Sequence, residues 1–242
     1  MQNLKVKSNS ASFVSKRELC ADTWEYTFSY TKNLHWNPGD YTYITLPPKK
    51  TSDSRGLRRH ISIVNLPNRN NHIKFAVRLR DSAFKKTLHS LLTGETIEFT
   101  VPYGELRFPK DKNSHMVFIV GGIGITAVLN VLERIKNENL EHSVTILYFN
   151  KSLKTTAYLD EIEDLQQTLP LLTVHICMTQ DATWIGEKGR VSDEKIKNLI
   201  KSYQSAYFYT VGPESLNQAV EDILFDLNIP DEQIWREDFT GY

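Results

Sequence analysis

The chain has 242 residues, and its 29 basic and 29 acidic side chains give a formal charge of zero, which excludes the basic footprint of a nucleic-acid binder. A composition of 40% hydrophobic and 24% charged residues is that of a folded globular protein, long enough for one large domain or two modest ones. The two cysteines, Cys20 and Cys177, are too few for an iron–sulfur cluster or a disulfide framework.

The N-terminal stretch MQNLKVKSNS lacks the apolar segment of a secretory signal. The longest apolar run, 116–132, is broken by three glycines, Thr126 and Asn130, and falls short of the ~20 residues a membrane span needs. No integral membrane segment is expected, and a cytoplasmic location is.

From about residue 11 to 108 the pattern is β-like. SFVSKREL, TWEYTFSY, YTYITLP, HISIVNLP, IKFAVRLR and TIEFTV carry β-branched and aromatic residues, separated by turn signals such as Asn37-Pro38-Gly39-Asp40. One helix interrupts them over 83–92, where Phe84, Leu88 and Leu91 recur at helical spacing behind the capping residue Ser82. Many short strands with one helix indicate an antiparallel β-barrel.

After Ser114 strands and helices alternate. HMVFIVGG leads to a helix over 125–136, SVTILYF to one over 157–167, LLTVHICM to one near 193–203, and AYFYTVG to one over 214–228. EQIWRED ends the series as a short strand. This rhythm implies βαβ units and a parallel, Rossmann-like sheet. Two domains are expected, 1–110 and 111–242, with the boundary in the polar stretch 110–114.

FIVGGIGIT, after the first strand of the second half, admits two readings. Gly121, Gly122 and Gly124 make either a tight strand-to-helix turn or a loop thinned so that a phosphate can approach backbone amides at the helix start. The full G-x-G-x-x-G pattern is absent, because Ala127 stands where its last glycine would be.

VGGIGIT resembles the pyridine-nucleotide loop of the ferredoxin–NADP reductase superfamily, with Thr126 matching and Ala127 replacing the usual proline. Four further segments follow in the family's order. WNPGDYTYITLP resembles its P-G-Q-Y strand. RGLRRHISIVNLP resembles its flavin signature R-x-[YF]-[ST], here Arg59, His60, Ile61 and Ser62. YTVGPESL resembles its nicotinamide element, and REDFTGY its common ending. RDSAFKKTLHSLLTGETIEFTVPYGELRF is similar to the segment over the flavin diphosphate in compact bacterial FAD-dependent oxidoreductases.

The resemblance implies FAD on the barrel and NADP or NAD on the α/β domain, with hydride passing from the nicotinamide to flavin N5. It implies that Arg59 holds the FAD diphosphate through its planar fork and that Ser62 points its hydroxyl at N5. Ile61 offers apolar cover to the flavin where the family has an aromatic ring. His60 either contacts the cofactor or faces solvent. Val77 and Arg78 run along the flavin, and the amides of Ser82, Ala83 and Phe84 meet the second phosphate. Lys85 and Lys86 read as solvated helix charges.

In the second half the resemblance implies a cofactor site built from Gly121, Gly122, Gly124, Ile125, Thr126, Asn150, Lys151, Gly212 and Pro213. Lys151 either pairs with the 2′-phosphate of NADP or is a surface lysine. With no acidic residue placed for the ribose after VTILYF, the balance leans toward NADPH. Phe239 is expected to cover the flavin face that nicotinamide occupies.

No ferredoxin, globin or FMN module fits beside these domains in 242 residues. The expected acceptor is a separate ferredoxin or flavodoxin, with free flavin, a quinone or an oxygenase component as other possibilities. The other expected class is an electron-transfer or regulatory subunit that binds nucleotide without turning over alone. The histidines show neither H-x-x-x-H nor Cys/His clustering, so no metal is expected. Asp160, Glu161, Glu163 and Asp164 read as the solvated face of a helix. The oligomeric state is unknown from sequence.

Overall fold

The computed structural model describes residues 8–31, 34–49, 53–104 and 106–238. The chain forms two compact units, Met1–Leu106 with Leu129–Val131, and Arg107–Val128 with Leu132–Tyr242.

The first unit is built from β1 (Ser8–Cys20), β2 (Thr23–Tyr30), β3 (Tyr41–Thr45), β4 (Arg58–Ser62), β5 (His72–Arg78), α1 (Ala83–His89) and β6 (Thr96–Thr100). The strands pair antiparallel in the order β4-β3-β6-β1-β2-β5. An isolated bridge between Ile63 and Phe75 joins the two edges, so the sheet closes into a barrel and the edge-strand problem is removed there. Alternation decides what lies inside. Thr42 and Ile44 of β3 are buried while Tyr41, Tyr43 and Thr45 are half-exposed, as a period of two requires. Phe13, Phe28, Ile44, Phe75 and Phe99 fill the interior, each contributing ~1.5–3 kcal/mol by burial.

α1 adds Phe84 and Leu88 to that interior. Ser82 caps it as expected, its hydroxyl accepting from the Lys85 amide at 3.3 Å. The helix stops at His89, three residues before the expected end, because the Ser90 amide turns to the Lys86 and Thr87 carbonyls, both at 3.1 Å. Leu91 stays buried beyond the helix; its apolar spacing belongs to a turn.

The second unit comprises β7 (His115–Gly121), α2 (Thr126–Glu138), β8 (Ser143–Asn150), α3 (Leu159–Thr168), β9 (Leu172–Met178), β10 (Glu187–Lys188), α4 (Asp193–Leu199), β11 (Tyr207–Gly212), α5 (Glu214–Asp226) and β12 (Ile234–Asp238). All pairings are parallel, in the order β10-β9-β8-β7-β11-β12. Val117, Ile119, Leu147, Phe149, Phe208 and Val220 form the core of one face. The architecture is thus an antiparallel barrel followed by a parallel-sheet α/β unit, as the two rhythms of the sequence indicate. The two-residue β10 has no counterpart in the sequence pattern, being too short to leave a periodicity.

From β7 the chain steps outward through β8 and β9, then returns to the other side of β7 for β11 and β12. The reversal makes a topological switch point between β7 and β11, and in open α/β sheets ligands bind at the carboxyl ends of the strands there.

Candidate functional site

In the first unit, the isolated antiparallel Ile63–Phe75 bridge sets the chain at the end of β4 against β5. Beyond that bridge no β4–β5 ladder forms among the described residues. The expected flavin residues therefore stand on two facing strand edges.

Their side chains divide between the two faces. Ile61 and Val77 are buried in the barrel interior, and Phe84 likewise turns its ring inward. His60 lies on the outer face between Tyr41 and Tyr43, with ring centroids 5.8 and 5.9 Å away, and burial lowers its pKa. It is half-buried rather than solvent-facing. Ser62 is buried. Arg78 reaches Thr23 Oγ1 at 3.4 Å.

Arg59 sends Nη1 to the carbonyls of Arg55 at 2.8 Å, Gly56 at 3.2 Å and Arg58 at 2.6 Å. Its Nη2 is buried without a hydrogen-bond partner, and the guanidinium carbon lies 5.5 Å from the centre of the Phe84 ring. Lys85 is no solvated charge: it is 8% exposed. Burial first, then the charges of Arg80, Arg55, Arg59 and Arg78, lower its pKa to about 8. Lys86 is exposed and pairs with Asp81 at 2.6 Å. The Ala83 amide donates to the Asp53 carboxylate at 2.8 Å. A buried guanidinium nitrogen without a partner, amid clustered cations at a helix start, fits a bound dianion such as the diphosphate of FAD.

In the second unit the glycines have individual reasons. Gly122 holds φ at +54°, a left-handed conformation costly for other residues. A Cβ on Gly124 would lie 2.3 Å from the Val211 carbonyl oxygen, and one on Gly121 would lie 2.7 Å from Leu216 and 2.9 Å from Pro213. Gly121, Gly124, Gly212 and Pro213 are thereby gathered at the switch point. A 3-10 turn over Gly122–Ile125 runs straight into α2, so the helix starts one residue later than expected. The Thr126 hydroxyl donates to the Ile123 carbonyl at 2.9 Å, and Ile125 is buried. The turn thus has packing reasons of its own, and its place at a helix start fits a phosphate.

Asn150, at the carboxyl end of β8, is 5% exposed, and neither atom of its side-chain amide has a partner. A buried polar group left so is costly unless a ligand satisfies it, which fits a nucleotide at this edge. Lys151 is exposed, and its carbonyl accepts from the Gln180 amide at 2.9 Å. Phe239 lies outside the described residues.

Several residues here escape a reading of the sequence. Asp53, Arg55 and Arg80 join the cationic cluster from loops, and only the density of arginines in RGLRR and LRDS hints at it. Asp181 follows β9 at the same edge as Lys151. Its carboxylate accepts from the Thr183 hydroxyl at 2.7 Å, and this bond, with the amides of Leu153, Thr183 and Trp184, lowers its pKa. Asn217 of α5 donates to the Glu237 carbonyl at 2.9 Å and ties the helix to β12. Among the described residues no group of three His, Cys, Asp or Glu side chains could hold a metal ion. No helix among them is long and apolar enough to cross a membrane.

Residues 10–108 match the oxidoreductase FAD-binding domain family, and residues 118–222 the oxidoreductase NAD-binding domain family. The F subunit of the Na(+)-translocating NADH-quinone reductase of Neisseria meningitidis serogroup C is 30% identical over 159 residues, 63% of this chain and 39% of that protein. Its Serratia proteamaculans counterpart is 26% identical over 84% of this chain and 54% of its own length. The chain thus spans about two fifths to half of these relatives. Among solved structures, the FAD/NAD-binding domain of nitric oxide dioxygenase from Vibrio cholerae superposes with a TM-score of 0.83 at 19% identity, covering 96% of this chain and 98% of that one. A ferredoxin NADP+ reductase from Neisseria gonorrhoeae gives 0.78 at 16% identity, with 97% and 99% covered. Barrel, parallel sheet and both domain families agree: the chain belongs to the ferredoxin–NADP reductase superfamily and is an FAD- and NAD(P)-binding oxidoreductase.

Proposed function

We propose that this chain takes hydride from NAD(P)H onto FAD and passes the electrons to a carrier protein of the ferredoxin or flavodoxin type. The observation that supports this reading is one chain with both a cation cluster around the partnerless Arg59 Nη2 and a glycine turn at the switch point of a parallel sheet. The bound cofactors supply the redox chemistry, and the protein supplies position and electrostatics.

In this reading Arg59 and the N-terminal turn of α1 hold the FAD diphosphate, and Lys85 adds positive charge beneath it. The edges of β4 and β5, with His60, Ile61, Ser62, Val77 and Arg78, orient the flavin, and the Ser62 hydroxyl serves N5. Phe239 covers the flavin until nicotinamide displaces it. The amides after Gly121 hold the nucleotide diphosphate, Asn150 and Lys151 take its adenosine end, and Gly212 and Pro213 border the nicotinamide. In this reading the FAD-binding domain is 1–110, four residues past the first unit's main segment, the NAD(P)-binding domain is 111–242, and the location is the cytoplasm.

A second reading is favoured by the relatives. Both are named as subunits of an NADH-quinone reductase, and in that reading the chain serves as one electron-transfer part of a larger assembly. Anaerobically reduced protein mixed with ferredoxin, flavodoxin or a soluble quinone separates the two. Rapid oxidation by a carrier protein supports the first reading, and oxidation by none of them supports the second.

A further inference from the structure

The Asp53 carboxylate sits where the cofactor's negative charge is expected. Its Oδ2 accepts from the Ala83 amide at 2.8 Å, and its Oδ1 accepts from the Arg55 amide at 2.9 Å. Its own carbonyl accepts from the Gly56 amide at 3.1 Å, which fixes the turn that presents the carboxylate. The Ala83 hydrogen bond first, then that of the Arg55 amide and the charges of Arg55 and Arg59, lower its pKa. The same arginines press on Lys85 together with Arg78 and Arg80. Five cations thus converge, while Arg59 Nη2 remains buried without a partner.

Asp53 is therefore a single internal anion in a place built for two negative charges. We propose that Asp53 is a built-in substitute for the FAD diphosphate, holding the Ala83 amide in the flavin-free protein and giving it up when FAD binds. This rests on the reading that the α1 start and Arg59 take the FAD diphosphate. The exchange has two consequences of opposite sign. In flavin-free protein the carboxylate stabilises a cluster of like charges that would otherwise repel one another. In the binding step the same carboxylate competes with the diphosphate for the Ala83 amide, and its negative charge beside the phosphates lowers affinity.

The experiment compares wild type, Asp53→Asn and Asp81→Asn after removal of flavin. Kd for FAD comes from quenching of flavin fluorescence, and thermal midpoints come from the flavin-free proteins. Asp53→Asn is expected to bind FAD roughly three- to tenfold more tightly, up to ~1.4 kcal/mol, and to melt lower without flavin. Asp81→Asn, whose carboxylate pairs with Lys86 instead, is expected to change FAD affinity less. Asp53→Ser, which keeps a neutral oxygen for the Ala83 amide, replaces the amide variant should that one not fold. Inorganic pyrophosphate added to the flavin-free proteins is expected to raise the midpoint of Asp53→Asn more than that of wild type.

Equal or weaker FAD binding by Asp53→Asn, with wild type binding FAD well, overturns the exchange and leaves Asp53 a helix cap. Wild type failing to bind FAD overturns the cofactor reading and the exchange with it.

Discussion

Gly124 and Val211 approach so closely that a Cβ on the glycine would lie 2.3 Å from the valine's carbonyl oxygen. Val211 is on β11 and its carbonyl cannot swing away like a side-chain tip, so the loop itself would have to move. Gly124→Ala is expected to displace the turn before α2, destabilise the second unit by ~1–3 kcal/mol, and weaken NAD(P)H binding. Thermal unfolding with nucleotide titration checks this. An unchanged midpoint with unchanged affinity would show that the turn adapts freely.

Arg59 gives a prediction confined to the flavin. Hydrogen bonds to a charged partner contribute ~1.5–3 kcal/mol, and each ~1.4 kcal/mol is tenfold in affinity. Arg59→Ala should therefore weaken FAD binding roughly ten- to a hundredfold, read by fluorescence titration. Far-ultraviolet circular dichroism should be unchanged, because the guanidinium's hydrogen bonds reach only local carbonyls of residues 55–58.

Lys85 introduces a pH dependence whose sign is fixed. Its folded pKa is about 8 against an ordinary 10.5, so between those values the folded flavin-free protein binds fewer protons than the unfolded chain. Stability then rises as pH climbs through that window. Asp53 stays ionised throughout, its pKa being lowered. A diphosphate beside Lys85 restores its proton, so FAD affinity should fall as pH rises above about 8. Thermal midpoints and FAD titrations across pH 7–10 check both slopes, at roughly one-unit steps. Both should vanish in Lys85→Met.

Lys151 and Asp181 set opposite charges at the edge where the nucleotide's adenosine end is proposed to lie. Asp181 changes the leaning toward NADPH that sequence alone suggests, since a carboxylate repels a 2′-phosphate and can accept from the ribose hydroxyls. Asp181→Asn should raise kcat/KM for NADPH relative to NADH, and Lys151→Ala should lower it. Equal effects on both nucleotides would show that neither residue reads the 2′ position.

What could be read from the sequence was whatever depends on neighbours in the chain. TWEYTFSY became β2 from its first residue to its last, because aromatic and β-branched side chains alternate without a turn residue. The glycines of 121–124 were legible as a special turn, though not their reasons, since Val211, Pro213 and Leu216 lie about ninety residues onward. Lys85 reads as a solvated charge because its burial is set by tertiary packing; Arg55 and Arg59, from about thirty residues earlier in the chain, join the nearby Arg78 and Arg80 in pressing on it. The Asp53–Ala83 contact spans 30 positions, and no local pattern marks it. Asp181 carries no local signal, because only the pairing of β9 with β8 brings the chain beyond Met178 beside the chain beyond Asn150.

Everything proposed for the two cofactor sites depends on hydride moving from a pyridine nucleotide to flavin within this one chain. Purified protein reconstituted with FAD is mixed anaerobically with NADH or NADPH in a stopped-flow instrument, and flavin absorbance is followed. Rapid, saturable bleaching is predicted with at least one nucleotide, slowed at subsaturating nucleotide in Gly124→Ala. A protein that holds FAD yet stays oxidised with both nucleotides would contradict it.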